Sequence, residues 1–193
     1  MFIAFEGPDK TGKSTSAANL ASDEVALYNV TKEMHQQQRE RDEVGTVVTY
    51  DRIDWLSHMV YRLAMPDHEW NDARPRTVFT MPDTHLVLKM HHPVGVDLIE
   101  DELYEAGRLA PVNEMYYHQV MFLADMNKLR DYSWFRSISV MEVHNDLSAG
   151  TFEQRLVFHE NAMYSGSYFE VLKRSVVTNN DLLEFLYEQD VRL

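Results

Sequence analysis

The run Gly7-Pro8-Asp9-Lys10-Thr11-Gly12-Lys13-Ser14 decides how this chain is read. It matches the phosphate-binding pattern G-x-x-x-x-G-K-[ST] at every defined place. A Gly-Pro turn after a strand is commonplace, but a full match in this context is not. The run follows Phe2-Ile3-Ala4-Phe5-Glu6, an apolar β-prone segment, and opens a helical segment over 13–22. Gly7 and Gly12 permit backbone angles that let successive N–H groups point at one phosphate. The helix that follows adds its positive end to the same anion site. Lys13 is placed to reach the outer phosphates of a nucleotide, and the Ser14 hydroxyl to hold magnesium. Thr11 lies within the loop, and Thr15 is the next helix residue near the phosphates.

Outward from this loop, a second polar pair fits the same cleft. Tyr50-Asp51-Arg52 closes a third β-prone run, at what is expected to be the carboxyl edge of a sheet. Ligands of open α/β sheets bind at that edge, near the switch point in strand order. An acid there can orient magnesium through water, and an arginine can clamp phosphate with its forked guanidinium. Asp51 could equally cap the next helix, leaving Arg52 solvated.

Five short apolar runs, over 1–6, 25–31, 46–50, 84–90 and 137–143, read as strands covered on both faces. Helical segments are expected at 13–22, 33–42, 53–64, 113–131 and 180–189. Ile53, Leu56, Val60 and Leu63 recur at helical spacing. Tyr116, Val120 and Leu123, with Phe122, Met126 and Leu129, predict an apolar stripe on the fourth helix. Strands alternating with helices argue for a doubly wound α/β sandwich.

Composition narrows the function classes. The 193 residues suit one domain with a sizeable core, and 45% are apolar. A net charge of −13 disfavours non-specific grip on nucleic acid. No cysteine is present, which excludes disulfides, thiolate catalysis and zinc–thiolate sites. The opening residues lack a basic leader and a long apolar run, and no window is long enough to span a membrane. A cytoplasmic setting is expected.

At the loop and at Tyr50-Asp51-Arg52 the sequence resembles the thymidylate kinases, a branch of the nucleoside monophosphate kinases. Ile3-Ala4-Phe5-Glu6-Gly7-Pro8-Asp9-Lys10-Thr11-Gly12-Lys13-Ser14-Thr15 is similar to the family's strand, phosphate loop and helix start. Tyr50-Asp51-Arg52 looks like its Asp-Arg motif, and Thr31-Lys32-Glu33 like its Thr-Arg-Glu stretch. The resemblance covers roughly the first 65 residues. It implies a P-loop kinase fold, a three-layer α/β sandwich on a five-stranded parallel sheet, with a small helical lid around 95–115. It implies ATP and Mg2+ as cofactors, with Lys13, Arg52, Asp51 and Lys10 as the catalytic set. Gly7, Asp9, Lys10, Thr11, Gly12, Lys13, Ser14 and Thr15 would hold the nucleotides, and Ser14 and Asp51 the metal. Asp9 would bind the acceptor's sugar hydroxyl, and Arg108 is a lid candidate by position. The family's Glu-Pro-Gly-Gly is replaced here by Glu33-Met34-His35-Gln36, so the acceptor pocket is rebuilt. Compact kinases of this look are typical of phage genomes, where they serve deoxynucleotide metabolism.

The expected activity is transfer of the ATP γ-phosphoryl group to a (deoxy)nucleoside monophosphate, dTMP or a 5-substituted dUMP. One alternative is an ATP-dependent kinase of 5-hydroxymethyluracil in DNA, which the acidic balance disfavours; another is a nucleotide-binding module without turnover. A nucleotide is the expected partner, no membrane is, and a homodimer is a possible assembly. Among weaker signals, Arg74-Pro75-Arg76 with Trp70 and Phe79 could belong to the acceptor site, or be a solvated loop with anchoring aromatics. His91-His92 makes a poor metal pair, because adjacent strand residues point apart. Asp97, Glu100, Asp101, Glu102 and Glu105 read as a solvated face.

Overall fold

The computed structural model describes residues 1–23, 25–70, 76–92, 109–129, 133–146, 149–161 and 178–191. Strand β1 (Phe2–Glu6) leads into helix α1 (Lys13–Leu20), then β2 (Leu27–Val30), α2 (Lys32–Arg41), β3 (Val48–Ile53) and α3 (Asp54–Ala64). Beyond these come β4 (Met81–His91), α4 (Leu109–Asn127), β5 (Phe135–Asp146), β6 (Thr151–Asn161) and α5 (Asn179–Val191). The strands form one sheet in the order β2-β3-β1-β4-β5-β6.

The first five strands pair in parallel, as their near-continuous apolar runs predict. The five-stranded expectation needs correction, since β6 adds a sixth strand, antiparallel to β5. Its polar outer positions, Glu153 and Arg155, break the apolar run by which the other strands announce themselves. The bulge in this pair leaves Val157 without a partner, because Leu156 faces Met141 and Phe158 faces Val140. The third strand runs to Ile53, past the 46–50 apolar run, so Tyr50-Asp51-Arg52 lies in its last residues as expected.

Apolar side chains on the two faces of the sheet make two cores. One, against α3 and α4, gathers Ala4, Tyr50, Leu56, Val60, Leu86, Tyr116 and Val120. The other, against α1 and α5, gathers Ile3, Phe5, Ala17, Val87, Met141, Leu182 and Leu186. Two helical layers therefore sandwich the sheet, and each fully buried Leu or Val contributes about 1.5–3 kcal/mol relative to exposure. Along α4 the expected stripe holds at Tyr116, Val120 and Leu123 but not at Phe122 and Leu129, which are exposed. The i, i+4 row from Val112 through Tyr116 and Val120 is the face that packs.

Helix starts follow local chemistry. The Thr31 hydroxyl caps α2 by accepting the Met34 N–H at 3.4 Å. Ahead of α5, Thr178 and Asp181 exchange backbone-to-side-chain bonds of 2.9 and 3.1 Å. Helix α1 differs, for its N-cap is Gly12 and no side chain caps it. Among the described residues, no helix is long and apolar enough to cross a membrane.

Candidate functional site

The chain passes from β1 to one side of the sheet, through β2 and β3, and later to the other side, through β4 and β5. The carboxyl end of β1 is thus where strand order reverses, the place where open α/β sheets bind ligands. Residues 7–12 leave β1 at that point with three positive φ angles, +137° at Gly7, +65° at Lys10 and +74° at Gly12. Such alternation turns successive N–H groups inward and forms an anion-binding concavity. The uncapped start of α1, with no acid in its first turn, faces the same way.

Gly7 has a packing reason as well as a conformational one. A Cβ there would stand 1.9 Å from the Lys89 carbonyl oxygen, so the loop lies directly on the backbone of β4. Thr11 Oγ1 donates to the Pro8 carbonyl at 2.9 Å and pins the loop across its middle. His91 supports it from β4 through a 2.7 Å bond between Nε2 and the Asp9 carbonyl. Asn113 of α4 in turn holds the backbone of His91, bonding both its N–H and its carbonyl. The histidine pair is therefore a loop support on one member.

Lys13 is buried at the first turn of α1, with Nζ donating to the Pro8 carbonyl at 2.5 Å. Burial, then the neighbouring Arg52, hold its ammonium down to about 8, while Asp9, Glu6 and Asp51 pull the other way. Ser14 and Thr15 are exposed beside it, as is Lys10. Thr11 is buried.

On β3 the side chains of Asp51 and Arg52 part to opposite faces of the sheet. Arg52 has a left-handed φ of 78°, an angle that costs a non-glycine residue about 1–3 kcal/mol. Several contacts hold it. Its guanidinium pairs with Asp9 Oδ1, reaches Tyr116 OH at 3.4 Å and lies over the Tyr61 ring. Tyr61 OH donates to Asp9 Oδ2 at 2.9 Å, so both carboxylate oxygens of Asp9 are engaged. Burial opposes the charge of Arg52, but Tyr116, Tyr61, Asp9 and Glu6 outweigh it and keep the guanidinium protonated.

Beneath this pair lies Glu6, fully buried at the end of β1. Its carboxylate accepts the Ile53 N–H at 2.5 Å, the Ser57 hydroxyl at 3.0 and 3.1 Å, and the Tyr116 hydroxyl at 2.9 Å. Burial raises its pKa, against the pull of Arg52. Glu6 thereby fixes the backbone just past the strained Arg52 and ties β1, β3, α3 and α4 at one point.

Asp51 is buried, and its Oδ1 has no hydrogen-bond partner among the described residues. An orphaned carboxylate oxygen that also acts on the charge of Lys13 fits a hard cation held on the phosphate side of the loop. No group of three or more His, Asp or Glu gathers to hold a metal among the described residues. The donor set of Ser14 and Asp51 suits magnesium carried in on phosphate oxygens.

The remaining expectations divide. Arg108 and residues 95–108 of the expected lid lie outside the described residues, while 109–115 form the first turns of α4, with Leu109 and Val112 buried. Arg74 and Pro75 also lie outside. Arg76 pairs with Asp54 at 3.0 Å, and Phe79 is buried in the core against His35. Phe79 is therefore an anchor and not a base-stacking surface.

Sequence reasoning missed Glu6, Tyr61, Tyr116, His91 and Lys89 as neighbours of the loop. Two carried a signal. Glu6 is an acid ending an apolar strand, and Lys89 interrupts the apolar run from Leu86 to Met90. Tyr116 reads as core on a helical stripe, and Tyr61 stands outside the apolar spacing of its helix.

No family model matches the chain, and no curated protein matches it. Among solved structures it is similar to the YorR protein of Bacillus subtilis, crystallised in complex with phosphorylated GDP. The two share 19% identity with a TM-score of 0.41, over 63% of this chain and 80% of that one.

Proposed function

We propose that this chain is an ATP-dependent phosphotransferase that moves the γ-phosphoryl group to a (deoxy)nucleoside monophosphate, dTMP or a 5-substituted dUMP. The observation that carries the proposal is the juxtaposition at the end of β1. A loop with three positive φ angles and an uncapped helix start lies beside buried Lys13, with Arg52 and Asp9 paired next to it. The acceptor class rests on the resemblance of the first 65 residues to thymidylate kinases.

In this reading an oxygen of the acceptor phosphate attacks the γ-phosphorus as the bond to the β–γ bridging oxygen breaks. Such transfer needs positioning and charge stabilisation more than covalent chemistry from the protein. The loop N–H groups and Lys13 hold the donor phosphates. Arg52 uses one edge of its fork on Asp9 and keeps further N–H donors for the phosphates being joined. Asp9, fixed by Arg52 and Tyr61, presents its carboxylate to the acceptor sugar. Ser14 and Asp51 would hold magnesium, which would supply positive charge to the phosphates.

The test is a screen of ATP-dependent phosphorylation across nucleoside monophosphates, nucleosides and duplex DNA, with and without 5-hydroxymethyluracil, repeated with Lys13→Ala. Labelling of a monophosphate that Lys13→Ala lowers by orders of magnitude is the expected result. Labelling of 5-hydroxymethyluracil DNA with no activity on any monophosphate would promote the DNA kinase. Nucleotide binding with no transfer to any acceptor would leave a binding module.

A further inference from the structure

Lys89 has no part in the reaction just described, yet it is among the largest fully buried side chains of the molecule. It projects from β4 toward α1. There its ammonium donates to Ser16 Oγ at 2.7 Å and to the Gly12 carbonyl at 3.3 Å. The Phe152 ring of β6 covers it, 5.3 Å from ring centroid to nitrogen. Neither hydrogen-bond partner is a carboxylate. Burial first and the charge of Lys13 second push the ammonium down to about 8, and among the described residues no acid offsets them.

Lysines are almost never fully buried unless paired, because an uncompensated interior charge is costly. Here two buried lysines, Lys13 and Lys89, repel one another at the end of the sheet where the loop gathers its N–H groups. A multiply charged anion on the loop is the partner that this arrangement lacks. We propose that Lys89 is a second phosphate-compensating cation of the nucleotide site. It is a positioning residue that ties down Gly12 and Ser16 and sets its charge behind the polyphosphate. This rests on the phosphotransferase reading above and adds a residue to its site.

A plain structural tie is the competing account, and the geometry separates the two. If Lys89 becomes Met, Gly12 O still accepts the Ser16 N–H at 3.0 Å, and Ser16 Oγ still donates to Asn179 Oδ1 at 2.9 Å. Removing the ammonium therefore orphans neither group and relieves an unpaired buried charge.

The experiment uses the full chain, with calorimetric Kd values and unfolding temperatures measured with MgATP and with inorganic tripolyphosphate. Lys89→Met is expected to unfold, without added anion, at or above the wild-type temperature. Its Kd for both probes should rise about tenfold to a hundredfold, the scale of one charged contact. Lys89→Gln keeps a donor without the charge and is expected to bind as weakly as the Met variant. Wild-type Kd values in Lys89→Met, or full recovery in Lys89→Gln, would overturn the inference. Failure of both variants to fold would make Lys89 a structural keystone and overturn it too. Lys13→Ala distinguishes the two levels. If it abolishes binding while the Lys89 variants bind normally, only this inference falls. If the wild-type chain binds neither probe, the phosphotransferase reading falls first and takes the inference with it.

Discussion

Replacing Gly7 with alanine adds one methyl group, and the structure sets what that group meets. The new Cβ would lie 1.9 Å from the Lys89 carbonyl oxygen and 2.9 Å from its carbon, both backbone atoms of β4. No rotamer relieves such a clash, so the loop and the strand must separate by about an ångström or more, at an overpacking cost of about 1–3 kcal/mol. The φ of +137° adds strain of about 1–3 kcal/mol for an L residue. The total, about 2–6 kcal/mol, is a large share of the roughly 5–15 kcal/mol that holds a domain folded. At roughly 2–4 °C per kcal/mol, the unfolding temperature should fall by about 4–24 °C. Gly45→Ala is the control. Its φ is +89°, but nothing lies within 4 Å of its added Cβ, so it carries backbone strain alone. Urea unfolding and nucleotide titration of both variants read the difference. Gly7→Ala should be the less stable and should bind ATP weakly, while Gly45→Ala should bind as wild type. Equal stability and equal binding would refute the close approach of loop and strand on which the site is built.

Arg52→Lys should cost about 100-fold to 1000-fold in kcat/KM, because a point charge cannot serve Asp9 and phosphate together; full activity in that variant would place Arg52 outside the reaction. Asp51→Asn should raise the magnesium concentration needed for half-maximal activity about tenfold or more, and an unchanged magnesium titration would remove Asp51 from the metal site. Stability should depend on pH through the buried lysines. Lys13 and Lys89 titrate at about 8 in the fold against 10.5 when free, so between those values the unfolded chain holds more protons and stability rises with pH. Each lysine should contribute roughly 2–3 kcal/mol to that rise. Urea midpoints across the window should climb less in Lys89→Met than in wild type, and parallel curves would contradict the burial of its ammonium.

What the sequence made legible followed from signals local in the chain. Four of the five apolar runs became inner parallel strands, where burial on both faces leaves no room for alternation, while β2 lies at the edge with Tyr28 exposed. The loop motif needed only its own eight residues and a strand before them. The sixth strand escaped because Glu153 and Arg155 sit on its polar face. A reading tuned to continuous apolar runs passes over such a segment. The site was half legible. Asp9, Lys13, Asp51 and Arg52 carry chemistry in a recognisable pattern, whereas Glu6, Lys89 and Tyr116 reach the loop only through tertiary packing. The separation of Tyr116 from Glu6 by 110 positions shows how little a linear pattern could say of it. At Phe79 the sequence left two readings, an acceptor-site aromatic or a loop anchor, and its burial in the core decides for the anchor.

The antiparallel strand β6 also sets where this chain can change length. Phe152 over the loop, Gln154 beside Asn179 and Leu156 in the α1–α5 core all lie on one face, two residues apart. With Leu156 held in its core, one residue inserted between Phe152 and Leu156 would turn Phe152 to the opposite face and strip the cover from Lys89. Losing Val157 has the contrary effect. That residue is the surplus one of the bulge, and without it Leu156 and Phe158 would fall into ordinary alternation, each still facing its own core. Relatives of this chain that vary in length along β6 should therefore gain or lose residues at the bulge, and keep the count from Phe152 to Leu156 fixed.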